Sequence, residues 1–240
     1  MTKIEIAVQN ATGARIAYDA GADRVELCQA LHTTGGLTPS DATIRACVDV
    51  DIDVHVLIRP RPGGFCYTHD EINLMAEEAR DAFSCGAAGI VIGAALPDCS
   101  LDTAALEKLV AAAGGASVTL HRVFDTLTDR EAALKTCAEL GITRVLTSAG
   151  EPSAVDKPEL LKALASASPG VEIMAGGGIS PANVELLRGT GVHAIHASCS
   201  TIGPDTGPSG PGGGSQHTYI TDRETVTALV TTVQTWKTRS

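Results

Sequence analysis

The segment Ala20-Gly21-Ala22-Asp23-Arg24-Val25-Glu26-Leu27-Cys28 decides how the rest of this chain is read. It is the end of a helix, a glycine that stops it, and a short strand carrying Arg24, Glu26 and Cys28 on one face. A glycine, three residues and a branched apolar residue recur at 21–25, 86–90, 141–145 and 191–195. In that register the fifth residues after glycine are Glu26, Val91, Leu146 and His196, and the seventh are Cys28, Gly93, Ser148 and Ser198. The alternate positions, Val25 and Leu27, Ile90 and Ile92, Val145 and Thr147, Ile195 and Ala197, are mostly what a covering helix would bury. A repeated helix–glycine–strand unit is the mark of parallel strands packed under helices.

Working outward, strands are predicted over 3–8, 23–28, 52–59, 89–93, 117–121, 143–148, 171–175 and 192–197. Helices are predicted between them, one opening at Ser180-Pro181 after the seventh strand and a last one over 222–234. Eight alternating pairs in 240 residues fit one TIM-type (β/α)8 barrel spanning 1–240. A doubly wound sheet is the alternative, but no GxGxxG follows the first strand. The Gly/Pro-rich stretch at about 203–216 reads as a flexible loop.

Composition excludes several classes. A formal charge of −10 argues against nucleic-acid or anionic-membrane partners. The N-terminus has no secretory apolar region and no run is long enough to span a bilayer, so a cytoplasmic protein is expected. The seven cysteines are scattered without a CxxC, which suits neither a disulfide framework nor a zinc ribbon.

The chemistry lies in polar residues on faces that should point into the barrel: Glu5, Glu26, His55, Arg59, Thr119, His121 and His196. They read either as an internal salt-bridge network or as a cavity equipped for proton transfer beside an anion. Under the second reading Glu5, Glu26, His121 and His196 are the catalytic candidates. Arg59, Arg61 and Arg122 at strand ends can clamp a carboxylate or phosphate, with Asp125 and Ser148 in support, although Arg61 and Arg122 can equally be solvent-facing ion pairs. Gly176, Gly177 and Gly178 before a capped helix, with Ser198 after the eighth strand, match the usual barrel phosphate site, or merely a tight turn. Cys28 is the one metal candidate, for copper(I) or zinc with Glu26, His121 or His196.

Several whole motifs resemble the CutC family of copper-homeostasis proteins. They are 23–28 (DRVELC), 35–40 (GGLTPS), 58–61 (IRPR) with 63–67 (GGFCY), 119–125 (TLHRVFD), 146–148 (LTS), 176–179 (GGGI) and 196–198 (HAS). The likeness runs in order from Glu5 to about Ser198 and fades beyond. It implies a cytoplasmic TIM-type barrel, often a homo-oligomer, with functional polar residues at Glu5, Glu26, Arg59, Arg61, His121, Arg122, Asp125 and His196. It also implies copper(I) binding through cysteines, of which Cys28 sits in a matching motif and Cys66 in the Gly-Gly-Phe segment. Two functions stand open: a copper-binding homeostasis protein, or a barrel enzyme acting by acid/base chemistry on a small phosphorylated or carboxylated metabolite. A polar interior that serves structure alone is the third.

Overall fold

In the computed structural model, which describes residues 2–168, 170–204, 207 and 217–237, the recurring glycines set the frame. Gly21, Gly86, Gly141 and Gly191 have φ of +84°, +97°, +77° and +81°, a left-handed conformation that glycine adopts without Cβ strain. Each turns the chain from the outside of the molecule into a strand.

The first half runs β1 (Lys3–Val8), α1 (Ala11–Ala20), β2 (Arg24–Leu27), α2 (Leu31–Thr34), α3 (Asp41–Val48), β3 (Asp53–Leu57), α4 (His69–Ser84) and β4 (Gly89–Ile92). The second runs α5 (Thr103–Ala112), β5 (Ser117–Leu120), α6 (Arg130–Glu139), β6 (Arg144–Thr147), α7 (Pro158–Ala167), β7 (Glu172–Gly176) and β8 (Ala194–Ala197). A two-stranded ribbon of β9 (Ser200–Ile202) and β10 (Tyr219–Thr221) precedes α8 (Arg223–Gln234). Strands β1 to β8 are parallel, each bonded to the next, and β8 closes on β1 through Glu5 opposite His196. The fold is the expected TIM-type barrel.

Asn10, Ser40, Thr68, Asp102, Asp129 and Asp222 each accept an amide hydrogen bond at a helix start. Val25, Leu27, Ile90, Ile92, Val145, Ile195 and Ala197 join the main core between barrel and helices, as the repeat predicts. Each such aliphatic side chain contributes roughly 1.5–3 kcal/mol on burial, which compensates for the scarcity of aromatics. Among the described residues no helix is long and apolar enough to cross a membrane.

Two expectations change. The helix opening at Ser180-Pro181 does not form; a four-residue 3-10 turn, Val184–Leu187, replaces it. The Asn183 side chain accepts from the Ser180 amide at 2.8 Å and donates to the Gly178 carbonyl at 2.8 Å, curling the segment back before a helix can propagate. The loop after β2, in contrast, begins with the short helix α2. Of the 203–216 stretch, 205, 206 and 208–216 lie outside the described residues, and so does the expectation placed on them.

Candidate active site at the carboxyl mouth

The barrel interior has a polar floor. Glu5 is fully buried and accepts from Arg24 Nε at 2.5 Å. Arg24 also reaches Met174 Sδ at 3.2 Å, while Arg144 bonds Glu172 at 2.7 Å and Thr119 Oγ1 at 3.0 Å. Arg24 and Arg144 were not among the sequence candidates for a role. The signal was present: both are the third residue after a recurring glycine, the inward register that continues through Glu26 and Leu146.

On this floor stands a line of acid–base groups. His196 Nδ1 lies 2.7 Å from Glu5 Oε1, and its Nε2 lies 3.4 Å from Glu26 Oε2. Burial works to raise the Glu5 pKa, but the His196 hydrogen bond and the Arg24 charge outweigh it and hold Glu5 ionised, well below the usual carboxylate range. Burial also dominates at Glu26, where opposition from His196 and reinforcement from Glu5 leave the carboxyl pushed up to about 7. At His196 burial acts downward, yet the hydrogen bond to Glu5 and the charges of Glu26 and Glu5 leave its pKa above that of a free histidine. Glu26 and His196 are therefore neighbouring groups that both hold a proton more strongly than they would in water.

Glu26 and His196 open onto a cavity of about 380 Å3 at the carboxyl end of the strands, whose walls include Leu57, Arg59, Phe65, His121, Arg122, Gly177 and Ser198. His121 and Arg59 both pack against the Phe65 ring, His121 with centroids 4.6 Å apart and Arg59 with its Cζ 5.4 Å from the centroid. Sequence reasoning missed Phe65, because a single aromatic in a loop shows no period. Burial first and the Arg59 charge second push the His121 pKa down to about 3, so its ring is neutral. The Val123 amide donates to His121 Nδ1 at 3.0 Å. Gly93 gives the ring its seat, since a Cβ there would come within 2.3 Å of Cε1. Gly89 does the same for His55, where a Cβ would come within 2.9 Å of Cε1.

The arginines divide differently from expectation. Arg59 borders the cavity, but Nη1 donates to the Thr34 and Gly36 carbonyls at 2.7 and 2.8 Å and Nη2 to the Gly63 carbonyl at 2.8 Å. It pins the loops after β2 and β3 and has no two-pronged face left for an anion. Arg61 lies outside the cavity, paired with Glu71 at the start of α4. Arg122 does border the cavity. Its Nε bonds Asp125 Oδ2 at 2.8 Å, its Nη2 bonds Ser148 Oγ at 2.9 Å, and a Cβ at Gly177 would meet its Nη1 at 3.0 Å. Asp125 anchors this end by also accepting from Thr147 Oγ1 at 2.5 Å and from the Ser148 and Gly150 amides.

Gly177 and Gly178 face the cavity with φ of +113° and +67°, and the amides of Gly177, Gly178 and Ile179 donate to no acceptor among the described residues. Gly176 sits behind them in β7, where a Cβ would strike Leu146. The expected helix terminus is missing here, so any anion would rest on these amides, Ser198 and Arg122.

Copper(I) fits these residues poorly. Cys28 is fully buried against Leu57, Val91 and Leu31, and burial followed by the Glu26 charge raises its pKa far above that of a free thiol. It is a protonated thiol in an apolar pocket. Among the described residues the donor atoms that converge within 4.8 Å belong to Glu5, Glu26 and His196, two hard carboxylates and an imidazole already bonded to one another. Copper(I) selects thiolate and thioether ligands.

Fold and site together define a TIM-type barrel protein with a cavity at the carboxyl end of its strands, the end at which barrel enzymes carry their sites. The relatives agree on one lineage. The CutC family model matches residues 2–201. A CutC family protein from Pasteurella multocida is 43% identical over 199 residues, covering 82% of this chain and 81% of its own length. One from Agrobacterium fabrum is 42% identical over 201 residues, covering 83% and 80%. A solved structure of a candidate copper homeostasis protein CutC from Streptococcus agalactiae superposes with a TM-score of 0.78 at 30% identity, over 82% of this chain and 99% of that one. This chain belongs to the CutC family.

Proposed function

We propose that this CutC family member is an enzyme that moves a proton on a small anionic metabolite, phosphorylated or carboxylated. The observation that carries the reading is Glu26, a cavity-wall carboxyl with a pKa of about 7 that lies 3.4 Å from His196 Nε2, the ring that Glu5 orients from its other side. A base poised near the working pH, held by a neighbour that is itself oriented by a fixed carboxylate, is what proton transfer requires. The anion rests on the Gly177–Gly178 amides, Ser198 and Arg122, and Arg59 adds charge from behind its loops.

The copper homeostasis role printed for the Streptococcus agalactiae relative comes to this chain with the family. Direct copper(I) ligation through Cys28 has little support in the geometry, so the copper link is better read as a consequence of the enzyme's metabolism than as a metal cage. The same reading keeps one barrel domain over 1–240, a cytoplasmic homo-oligomer, and no nucleic-acid or membrane partner.

The test incubates the protein in D2O with a panel of sugar phosphates and short carboxylic acids and follows deuterium uptake by mass spectrometry. At least one compound should exchange a C–H proton, and Glu26→Gln should slow that exchange by about a hundredfold or more. Should nothing exchange, while reduced protein binds cuprous ion tightly and loses it in Cys28→Ser, the copper reading replaces this one.

A further inference from the structure

Arg122 ends in a nitrogen without an acceptor. Its Nε and Nη2 are held by Asp125 and Ser148, while Nη1 donates to nothing among the described residues. That free edge lies over Gly177, where a Cβ would meet Nη1 at 3.0 Å and Cζ at 3.2 Å. Two glycine carbonyls then fix where the following amides point, because in a trans peptide plane the C=O and the N–H face opposite ways. The Gly177 carbonyl accepts from the Ala154 amide at 2.9 Å and from Ser153 Oγ at 3.2 Å, both in the loop after β6. The Gly178 N–H is therefore turned from β6 toward β8, the neighbour on the other side of β7, where Ser198 follows. The Gly178 carbonyl is taken by Asn183 Nδ2 at 2.8 Å, which turns the Ile179 N–H away from that residue. Ser198 Oγ accepts from Ser200 Oγ at 3.4 Å and keeps its own proton to donate. Arg122 and Gly178 are exposed, Gly177 and Ser198 half-buried, and all four line the same cavity, so a ligand can reach them.

From this arrangement we infer that the mouth takes a phosphate monoester rather than a carboxylate, with the phosphate between Arg122 and Ser198 on the Gly178 and Ile179 amides. The inference rests on the anion reading above and narrows it. The donors follow the ends of three strands, with Arg122 after β5 on one side of β7 and Ser198 after β8 on the other. A carboxylate carries two oxygens in one plane and is matched by a single guanidinium edge. A phosphate monoester carries three acceptor oxygens spread tetrahedrally about phosphorus, with about two negative charges at neutral pH. It can meet donors that approach from both sides of β7 at once. The fourth substituent of phosphorus, the ester oxygen, leads the carbon chain into the space that Glu26 and His196 also line. No bond to phosphorus breaks in this scheme. The phosphate is a handle that holds the carbon chain for proton transfer.

The test titrates methyl phosphate, inorganic phosphate and acetate separately into the 15N-labelled full chain and follows binding by NMR. Methyl phosphate should bind about tenfold tighter than acetate or more, and should move the Gly178 and Ile179 amide protons downfield. Arg122→Met, which removes a charged donor, should weaken methyl phosphate about tenfold or more, and Ser198→Ala should weaken it by a smaller factor. Acetate bound as tightly as methyl phosphate overturns the monoester assignment while leaving the anion reading intact. Inorganic phosphate bound well ahead of methyl phosphate would show a site for the free ion and would also overturn it. If none of the three binds, the anion reading falls and takes this inference with it. Since Arg122 also holds Asp125 and Ser148, its replacement can disturb the loops, and the wild-type spectrum decides independently. Methyl phosphate that binds without moving the Gly178 and Ile179 amides sits elsewhere and refutes the site.

Discussion

The floor and the mouth of this barrel are both polar, yet they are polar in opposite ways. In the floor each guanidinium has a carboxylate: Arg24 with Glu5, Arg144 with Glu172. In the mouth Glu26 borders the cavity with its carboxyl pushed up to about 7, chiefly by burial. Matched buried charge builds a platform, and a carboxyl displaced toward neutrality is the kind of group that moves a proton. Of the readings of the interior, the internal salt-bridge network is therefore present in the floor.

The contrast breaks most visibly at the floor. Arg24→Met strands the Glu5 carboxylate in a site where neither partner has appreciable solvent contact, so a loss of about 3–5 kcal/mol is expected in urea unfolding. A loss below about 1 kcal/mol would mean that the floor is not the platform described.

A smaller effect, of opposite character, is expected at the mouth. The Glu26 pKa is about 7 in the folded chain against an ordinary value of 4.5, so the native state keeps a proton that the unfolded chain has released. Stability should therefore decline as pH rises from about 4.5 to about 7. His196 acts in the same direction, its contribution present below its ordinary value of 6.5 and lost as pH climbs through its raised folded value. Glu5 does the reverse, its contribution lost only as acid titrates it far below the usual range. Replacing Glu26 by Gln removes the first contribution. Between about pH 5 and pH 8 the wild type should lose on the order of 2 kcal/mol relative to Glu26→Gln, and parallel pH profiles for the two proteins would contradict the assignment.

The smallest effect sharpens the boundary of the mouth. Arg61→Ala should leave the affinity for a small anion such as inorganic phosphate unchanged, because its guanidinium is committed to Glu71 and to the Pro62, Gly64 and Cys66 carbonyls outside the cavity. A tenfold loss of affinity in calorimetry would return Arg61 to the site.

Much of this was legible before any coordinates. Alternation in β-strands is strict, so the register of four glycines correctly set Glu26 and His196 inward and Val25 and Ile195 outward. What could not be read were contacts set by loop closure. Nothing local says that Arg59 will be consumed by carbonyls at Thr34, Gly36 and Gly63 while Arg122 keeps its edge on the cavity, because the Thr34 and Gly36 carbonyls arrive from the loop after β2. Ser180-Pro181 looked like a helix start by its residues. The outcome turned on Asn183, whose amide bonds both flanks of the segment at once. Cys28 looked like a ligand at a strand end, and only the packing of Leu57 and Val91 over it shows a thiol sealed in apolar surroundings.

Gly89 in β4 and Gly93 just after it carry one more consequence. Neither has a side chain, yet each reserves volume that an imidazole occupies, His55 of β3 over Gly89 and His121 after β5 over Gly93. Such positions are constrained by vacancy. Their tolerance to change is governed by the size of a ring on an adjacent strand or at its end, so a single added methyl at Gly93 acts as an edit of His121 made from a neighbouring part of the barrel.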